Sequence, residues 1–131
     1  MAPDDPQPGM PTNRVTVVTG AEQEAADWTP LHGDNDIGNK ILWRSPAGDT
    51  IVGLIRMQPG STLGGHMHPT ATQHTWVIEG QISIAGTPAP GGSYAYAPPG
   101  ADQETAAVGT EPSTLFYIYH PYELTHDHPD D

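Results

Sequence analysis

Between residues 14 and 120 the apolar positions come in short runs, most of them alternating with polar ones at a period of two. Residues 14–18 (RVTVV) are β-branched and read as a first short strand. Residues 40–44 (KILWR) precede a turn at 45–49 (SPAGD). Residues 50–57 (TIVGLIRM) are nearly all apolar, which predicts a strand covered on both faces. Four more strands are predicted at 75–79 (TWVIE), 81–85 (QISIA), 93–97 (SYAYA) and 114–119 (TLFYIY), with Gly or Pro between them. Only 21–28 allows a helical turn. Short strands separated by Gly/Pro turns predict an all-β sandwich or small barrel.

Composition narrows the function classes. The 131 residues make one domain, and zero Cys removes disulfides, thiolate metal sites and cysteine nucleophiles. Sixteen acids against four bases argue against a nucleic-acid partner and against docking on an anionic membrane. The acidity lies mostly at the ends. Residues 1–36 carry seven acids and one base, 121–131 carry four acids, and 37–120 carry five acids against Lys40, Arg44 and Arg56. We expect a Pro-rich N-terminal tail at 1–13, a folded domain at 14–120 and an acidic tail at 121–131. The N-terminus lacks the basic and apolar regions of a secretory signal, and no apolar run is long enough for a membrane helix, so a cytoplasmic protein is expected.

The chemistry-bearing stretch is Gly60 to Gly80, with His66 and His68 one residue apart. On a strand, such a pair points to one face and supplies half of a metal site. The stretch reads Gly60-x5-His66-x-His68-x4-Gln73-x6-Gly80. It resembles the first cupin motif, with Gln73 where most cupins carry Glu. Further on, Gly92-x5-Pro98-x-Gly100-x2-Gln103-x3-Ala107 resembles the second cupin motif. There Gln103 replaces the ligand His and Ala107 the Asn. Trp28-Thr-Pro30-Leu31, Ile37-x-x-Lys40-x-Leu42 and Leu54-x-Arg56-x-x-Pro59-Gly60 are similar to single-domain cupins of the 2,4′-dihydroxyacetophenone dioxygenase and anti-sigma-factor type.

This resemblance implies a jelly-roll β-barrel with one divalent metal ion (Fe, Zn, Ni or Mn) in its mouth. His66, His68, Gln73 and Gln103 are the implied ligands. Two imidazoles and two amides form a neutral set, which leaves the ion a stronger Lewis acid and lowers its affinity. His74 and Glu104 are candidates for acid–base work. Strict alternation puts His74 on the face opposite Gln73, while a bulge at 72–73 would turn it inward. His120 either lines the mouth or is exposed, His126 and His128 lie in the tail, and His32 precedes the domain. Tyr94 and Tyr96 share a face, as do Tyr117 and Tyr119, in the core or at a homodimer interface. Trp43 and Trp76 pack in the sandwich or line a pocket, and Met57 and Phe116 read as core. Gly60, Gly80, Gly92 and Gly100 suit turns that need positive φ.

The resemblance implies a dioxygenase that cleaves a carbon–carbon bond beside a carbonyl in a small oxygenated substrate. The neutral ligand set favours instead a non-oxidative isomerase, dehydratase or cyclase. A non-catalytic module sensing a metal or small molecule is the third reading, and no helical partner-binding segment supports it.

Overall fold

A computed structural model describes residues 14–64 and 70–121. One short helix, α1 (Gly20–Ala25), precedes ten strands. These are β1 (Thr29–Leu31), β2 (Asp34–Arg44), β3 (Ile51–Met57), β4 (Thr62–Leu63), β5 (Ala71–Glu79), β6 (Gln81–Ile84), β7 (Thr87–Pro90), β8 (Tyr94–Ala97), β9 (Thr105–Ala107) and β10 (Ser113–Pro121). Six form one antiparallel sheet in the order β1-β2-β3-β10-β5-β8, and four form a second in the order β4-β9-β6-β7. The core lies between the sheets. Ile37, Ile55, Met57, Val77, Leu115 and Tyr117 from the first meet Ile82, Ala89 and Ala107 from the second.

Period-two alternation sets both faces. On β3, Gly53, Ile55 and Met57 are buried, whereas Val52, Leu54 and Arg56 are half-buried. The expected double burial of this strand is therefore incomplete, because its outer side is only partly covered. On β10, Leu115 and Tyr117 point inward, and Phe116 lies on the outer face 5.6 Å from Trp76. Phe116 is thus not a core residue, contrary to expectation.

Residues 14–18 form no strand. Val15 and Val17 are 89% and 70% exposed, and β-branched residues without a partner edge have no ladder to join. The helical turn expected at 21–28 is α1, begun by a capping box. Thr19 Oγ1 accepts from Glu22 N, and the Glu22 carboxylate accepts from Thr19 N. The Thr19 backbone N–H and the Thr19 hydroxyl both donate to the Glu22 carboxylate, and these two bonds hold the exposed carboxyl below its usual range. Lys40 Nζ, 2.6 Å from Gln23 O and 4.4 Å above the Trp28 ring, fastens this segment to the outer face of β2.

Four strands were not expected: β1, β4, β7 and β9. In β7 both Pro88 and Pro90 sit in a strand, which is tolerated because β7 is an edge. Ala85 and Gly86, both at positive φ, close the two-residue β6–β7 hairpin. Gly60, Gly80, Gly92 and Gly100 all have positive φ, as expected. Among the described residues, no helix is long and apolar enough to cross a membrane.

Candidate functional site

The interior of the barrel contains two adjoining spaces. One is about 180 Å³ and the other about 400 Å³, and Ile55, Leu63 and Gln73 line both. Gln73 lies on the inner face of β5, opposite Tyr119 of β10 and Ala97 of β8. Its Nε2 donates to Thr75 Oγ1 at 3.2 Å, which orients the amide and leaves Oε1 as the acceptor atom. Gln103 enters the smaller space just ahead of β9. It is 8% exposed. Its carbonyl accepts from Thr105 Oγ1 at 2.9 Å, which fixes the approach to β9.

The structure thus brings Gln73 and Gln103, the two amides of the expected ligand set, onto the wall of one cavity. His66 and His68 lie outside the described residues. They belong to residues 65–69, which connect Gly64 to the strand that carries Gln73. Among the described residues, no group of three or more His, Asp or Glu side chains could hold a metal ion.

The two acid–base candidates are not brought to this cavity. Glu104 follows Gln103 and is exposed on the opposite side of the chain, since neighbouring residues of an extended segment face opposite ways. A Cβ at Gly64 would lie 3.4 Å from Glu104 Oε2, so the carboxylate sits beside the segment that leads to His66. The β5–β10 register is unbroken from Gln73 to Thr72, so there is no bulge to turn His74 inward. His74 lies on the outer face. Its Nδ1 is hydrogen-bonded to Tyr94 Oη, and its ring stacks on His120 at 5.5 Å. Partial burial, and then repulsion by His120, lower the pKa of this imidazole from its usual value. His120 is half-buried on that face, with Nε2 3.0 Å from Thr72 Oγ1. Trp43 and Trp76 are there too, 41% and 38% exposed.

Sequence reasoning missed the far wall of the interior. Tyr117 donates to Asn39 Oδ1 at 2.9 Å and lines the larger space with Tyr119 and His32. Burial raises the Tyr117 phenol above its usual pKa, against smaller lowering effects from Asn39 and Arg44. The period-two pair Tyr117/Tyr119 was visible, but its inward phase was not. His32 stands in the β1–β2 turn at φ 53, a conformation that is uncommon outside Gly.

Residues 16–128 match the ChrR cupin-like domain family. No curated protein matches the chain. Among solved structures, an RmlC-like cupin protein from Ralstonia eutropha is 18% identical, with a TM-score of 0.70 over 82% of this chain and 69% of that one. KdgF from Halomonas sp. is 19% identical, with a TM-score of 0.65 over 83% and 96%. An acetylacetone dioxygenase from Acinetobacter johnsonii is 17% identical, with a TM-score of 0.66 over 88% and 80%. At these identities the likeness shows the fold.

Proposed function

Since the chain belongs to the ChrR cupin-like domain family, we propose that it is a metal-dependent enzyme acting on a small, uncharged oxygenated molecule with a carbonyl or enolisable group. The observation that carries this reading is the wall of the barrel interior. Among the described residues, Gln73, Gln103, Thr75, Thr105 and one carboxylate residue, Asp102, line the smaller space beside Ile, Leu and Ala, His32 lines the larger, and no Lys or Arg lines either part. A substrate carboxylate or phosphate finds no side-chain cation there, whereas a ketone or diketone does not need one. The smaller space lies below the roughly 300–1,000 Å³ usual for drug-sized ligands, which favours a compact substrate.

The residues present fit a divalent ion. Gln73 Oε1 is unused by the Gln73–Thr75 hydrogen bond, and Gln103 lines the same space. His66 and His68 would complete a neutral four-donor set. Bound there, the ion would supply Lewis acidity toward a substrate oxygen, its charge uncompensated by a carboxylate ligand.

The remaining roles belong to the chain. Thr75 fixes the Gln73 amide and Thr105 the backbone at Gln103. Ile55, Leu63, Ile84 and Leu115 form an apolar wall that excludes water. Tyr117, held by Asn39, presents a rigid ring to the larger space.

A second reading, a dioxygenase cleaving a carbon–carbon bond beside a carbonyl, draws on the likeness to the acetylacetone dioxygenase and takes the same substrate class. Elemental analysis of the full chain and of the His66→Ala/His68→Ala double variant, both purified without chelator, tests the metal. About one equivalent in the first and none in the second is expected. Oxygen uptake with a 1,3-diketone then separates the two chemistries, because only the dioxygenase consumes oxygen. Absence of metal from both proteins, even after reconstitution, overturns the metalloenzyme.

A further inference from the structure

We propose that the chain carries a second small-molecule site, outside the barrel interior, that takes a small organic monocarboxylate beside Trp28, Lys40 and Arg56. Three of the segments that resemble single-domain cupins meet there. Trp28 comes from the stretch between α1 and β1, Lys40 from β2 and Arg56 from β3. None of the three lines the barrel interior. Gly38 and Arg56 are register partners on β2 and β3. A Cβ at Gly38 would lie 3.0 Å from Trp28 Cβ and 3.1 Å from its ring, so the indole rests directly on the backbone of β2. Lys40 Nζ is 4.4 Å from the centre of that ring, and the Arg56 guanidinium carbon is 5.9 Å from it. All three residues line one cavity of about 420 Å³, together with Leu54, Glu24 and Glu79.

The two cations lack a counterpart. Lys and Arg are rarely buried unless they are paired. Lys40 is 9% exposed, and its bond to the Gln23 carbonyl uses one of the three N–H groups of its ammonium. Arg56 Nε is buried and has no hydrogen-bond partner among the described residues. Among those residues neither cation forms an ion pair, in a chain with sixteen acids and four bases. Half of the chain's bases thus line one cavity without a carboxylate to neutralise them. A bound anion supplies it. A planar guanidinium receives a carboxylate through two parallel N–H···O bonds, and the Lys40 ammonium adds a second positive charge.

The rest of the wall selects the anion. Glu24 and Glu79 are exposed where they line the cavity, and the net charge of the chain is −12. Both repel a phosphate dianion more than a monoanion. Trp28 and Leu54 give an organic body apolar surface to lie on, which an inorganic anion cannot use. Among the described residues no Lys or Arg lines the barrel interior, so a carboxylate is drawn to this cavity and not to that one.

Titration of the full chain with sodium benzoate at constant ionic strength, followed at the Arg56 Nε–H and Trp28 indole N–H resonances, tests this. Saturable shifts of both are expected. Benzamide, with the same ring and no charge, should cause none, and inorganic phosphate should bind more weakly than benzoate. Arg56→Gln should weaken benzoate binding, read at Trp28, by about tenfold or more. Glu79→Gln, at an exposed position, should bind benzoate more tightly, a gain that a misfolded variant would not show. The His66→Ala/His68→Ala variant should bind it as the wild type does, which keeps this site separate from the metal reading. Absence of saturable shifts overturns the proposal. So do shifts that benzamide reproduces, phosphate that binds as tightly as benzoate, or binding that Arg56→Gln leaves intact. Binding that Glu79→Gln fails to tighten, or that the histidine double variant loses, overturns it as well.

Discussion

Gly53 and Tyr117 face each other across the β3–β10 ladder, and the phenol of Tyr117 occupies the space where a side chain at position 53 would stand. A Cβ at Gly53 would fall 2.8 Å from Tyr117 Oη and 2.7 Å from the Lys40 carbonyl. The carbonyl belongs to the backbone of β2, so the ring would have to give way. Gly53→Ala should therefore destabilise the protein by about 1–3 kcal/mol, the usual cost of overpacking a core. It should also break the Tyr117–Asn39 hydrogen bond. Urea denaturation gives the first quantity, and the Tyr117 ring resonances report the second. Unchanged stability would mean that the ladder yields at this point.

Tyr117 also predicts an alkaline weakness. Burial raises its pKa in the folded protein above the unfolded value of about 10. The fold therefore holds the neutral phenol more tightly than the unfolded chain does. Its contribution is fully present below the unfolded pKa and is lost as pH rises through the folded one. Tyr117→Phe should lower stability near neutrality by about 1 kcal/mol, through the lost hydrogen bond to Asn39. It should also flatten the fall in stability above pH 10. Denaturation of both proteins on either side of that pH checks the difference, and parallel losses would contradict it.

How much of this could be read from the residue order depends on the strand. The centres of β5, β6, β8 and β10 were visible, because their apolar residues recur at period two between Gly and Pro. The first half of β2, Asp34-Asn-Asp-Ile-Gly-Asn39, was not, since Asp, Asn and Gly are poor strand formers. Pairing with β1 and β3 makes it a strand nonetheless. Residues 14–18 err the other way, with strong propensity and no edge to join. In β10 the run 115–119 (LFYIY) is apolar or aromatic throughout, so alternation could not tell inward Tyr117 from outward Phe116. In β5 it could, and Gln73 and His74 face opposite ways as strict alternation requires. Asn39 and Tyr117 are 78 residues apart, a partnership no local pattern announces.

The motif glycine at position 80 supports a further prediction. Gly80 has φ +98, and a Cβ there would collide with the Ser113 side chain and lie 2.6 Å from Ser113 Cα. Ser113 is fully buried, and its Oγ accepts from Gln81 N at 3.1 Å. At Gly86, with φ +83, a Cβ would meet nothing within 4 Å. Gly86→Ala should therefore cost only the backbone strain, about 1–2 kcal/mol. Gly80→Ala adds a steric clash and should cost clearly more, or prevent folding. Thermal unfolding of the two variants side by side gives the order. Equal losses would mean that Ser113 moves aside freely.

The last prediction concerns the charge of the proposed ligand set. Gln73 occupies the position at which most cupins carry Glu, and its amide is oriented by Thr75. In Gln73→Glu a carboxylate would take that place, with the Thr75 hydroxyl turned to donate to it. If a divalent ion binds beside Gln73 and Gln103, the added negative charge acts on it across a few ångströms in a partly desolvated space. Coulomb attraction there amounts to several kcal/mol, and desolvation of the carboxylate offsets part of it. Gln73→Glu should therefore bind the ion more tightly than the wild type, by about tenfold or more. The expected gain should disappear in the His66→Ala/His68→Ala background. Competition against a chelator of known affinity measures both. Tighter binding that survives loss of the two histidines would place the ion elsewhere. Unchanged or weaker binding with the histidines intact would mean that the Gln73 amide is not a ligand but part of the wall that faces the substrate.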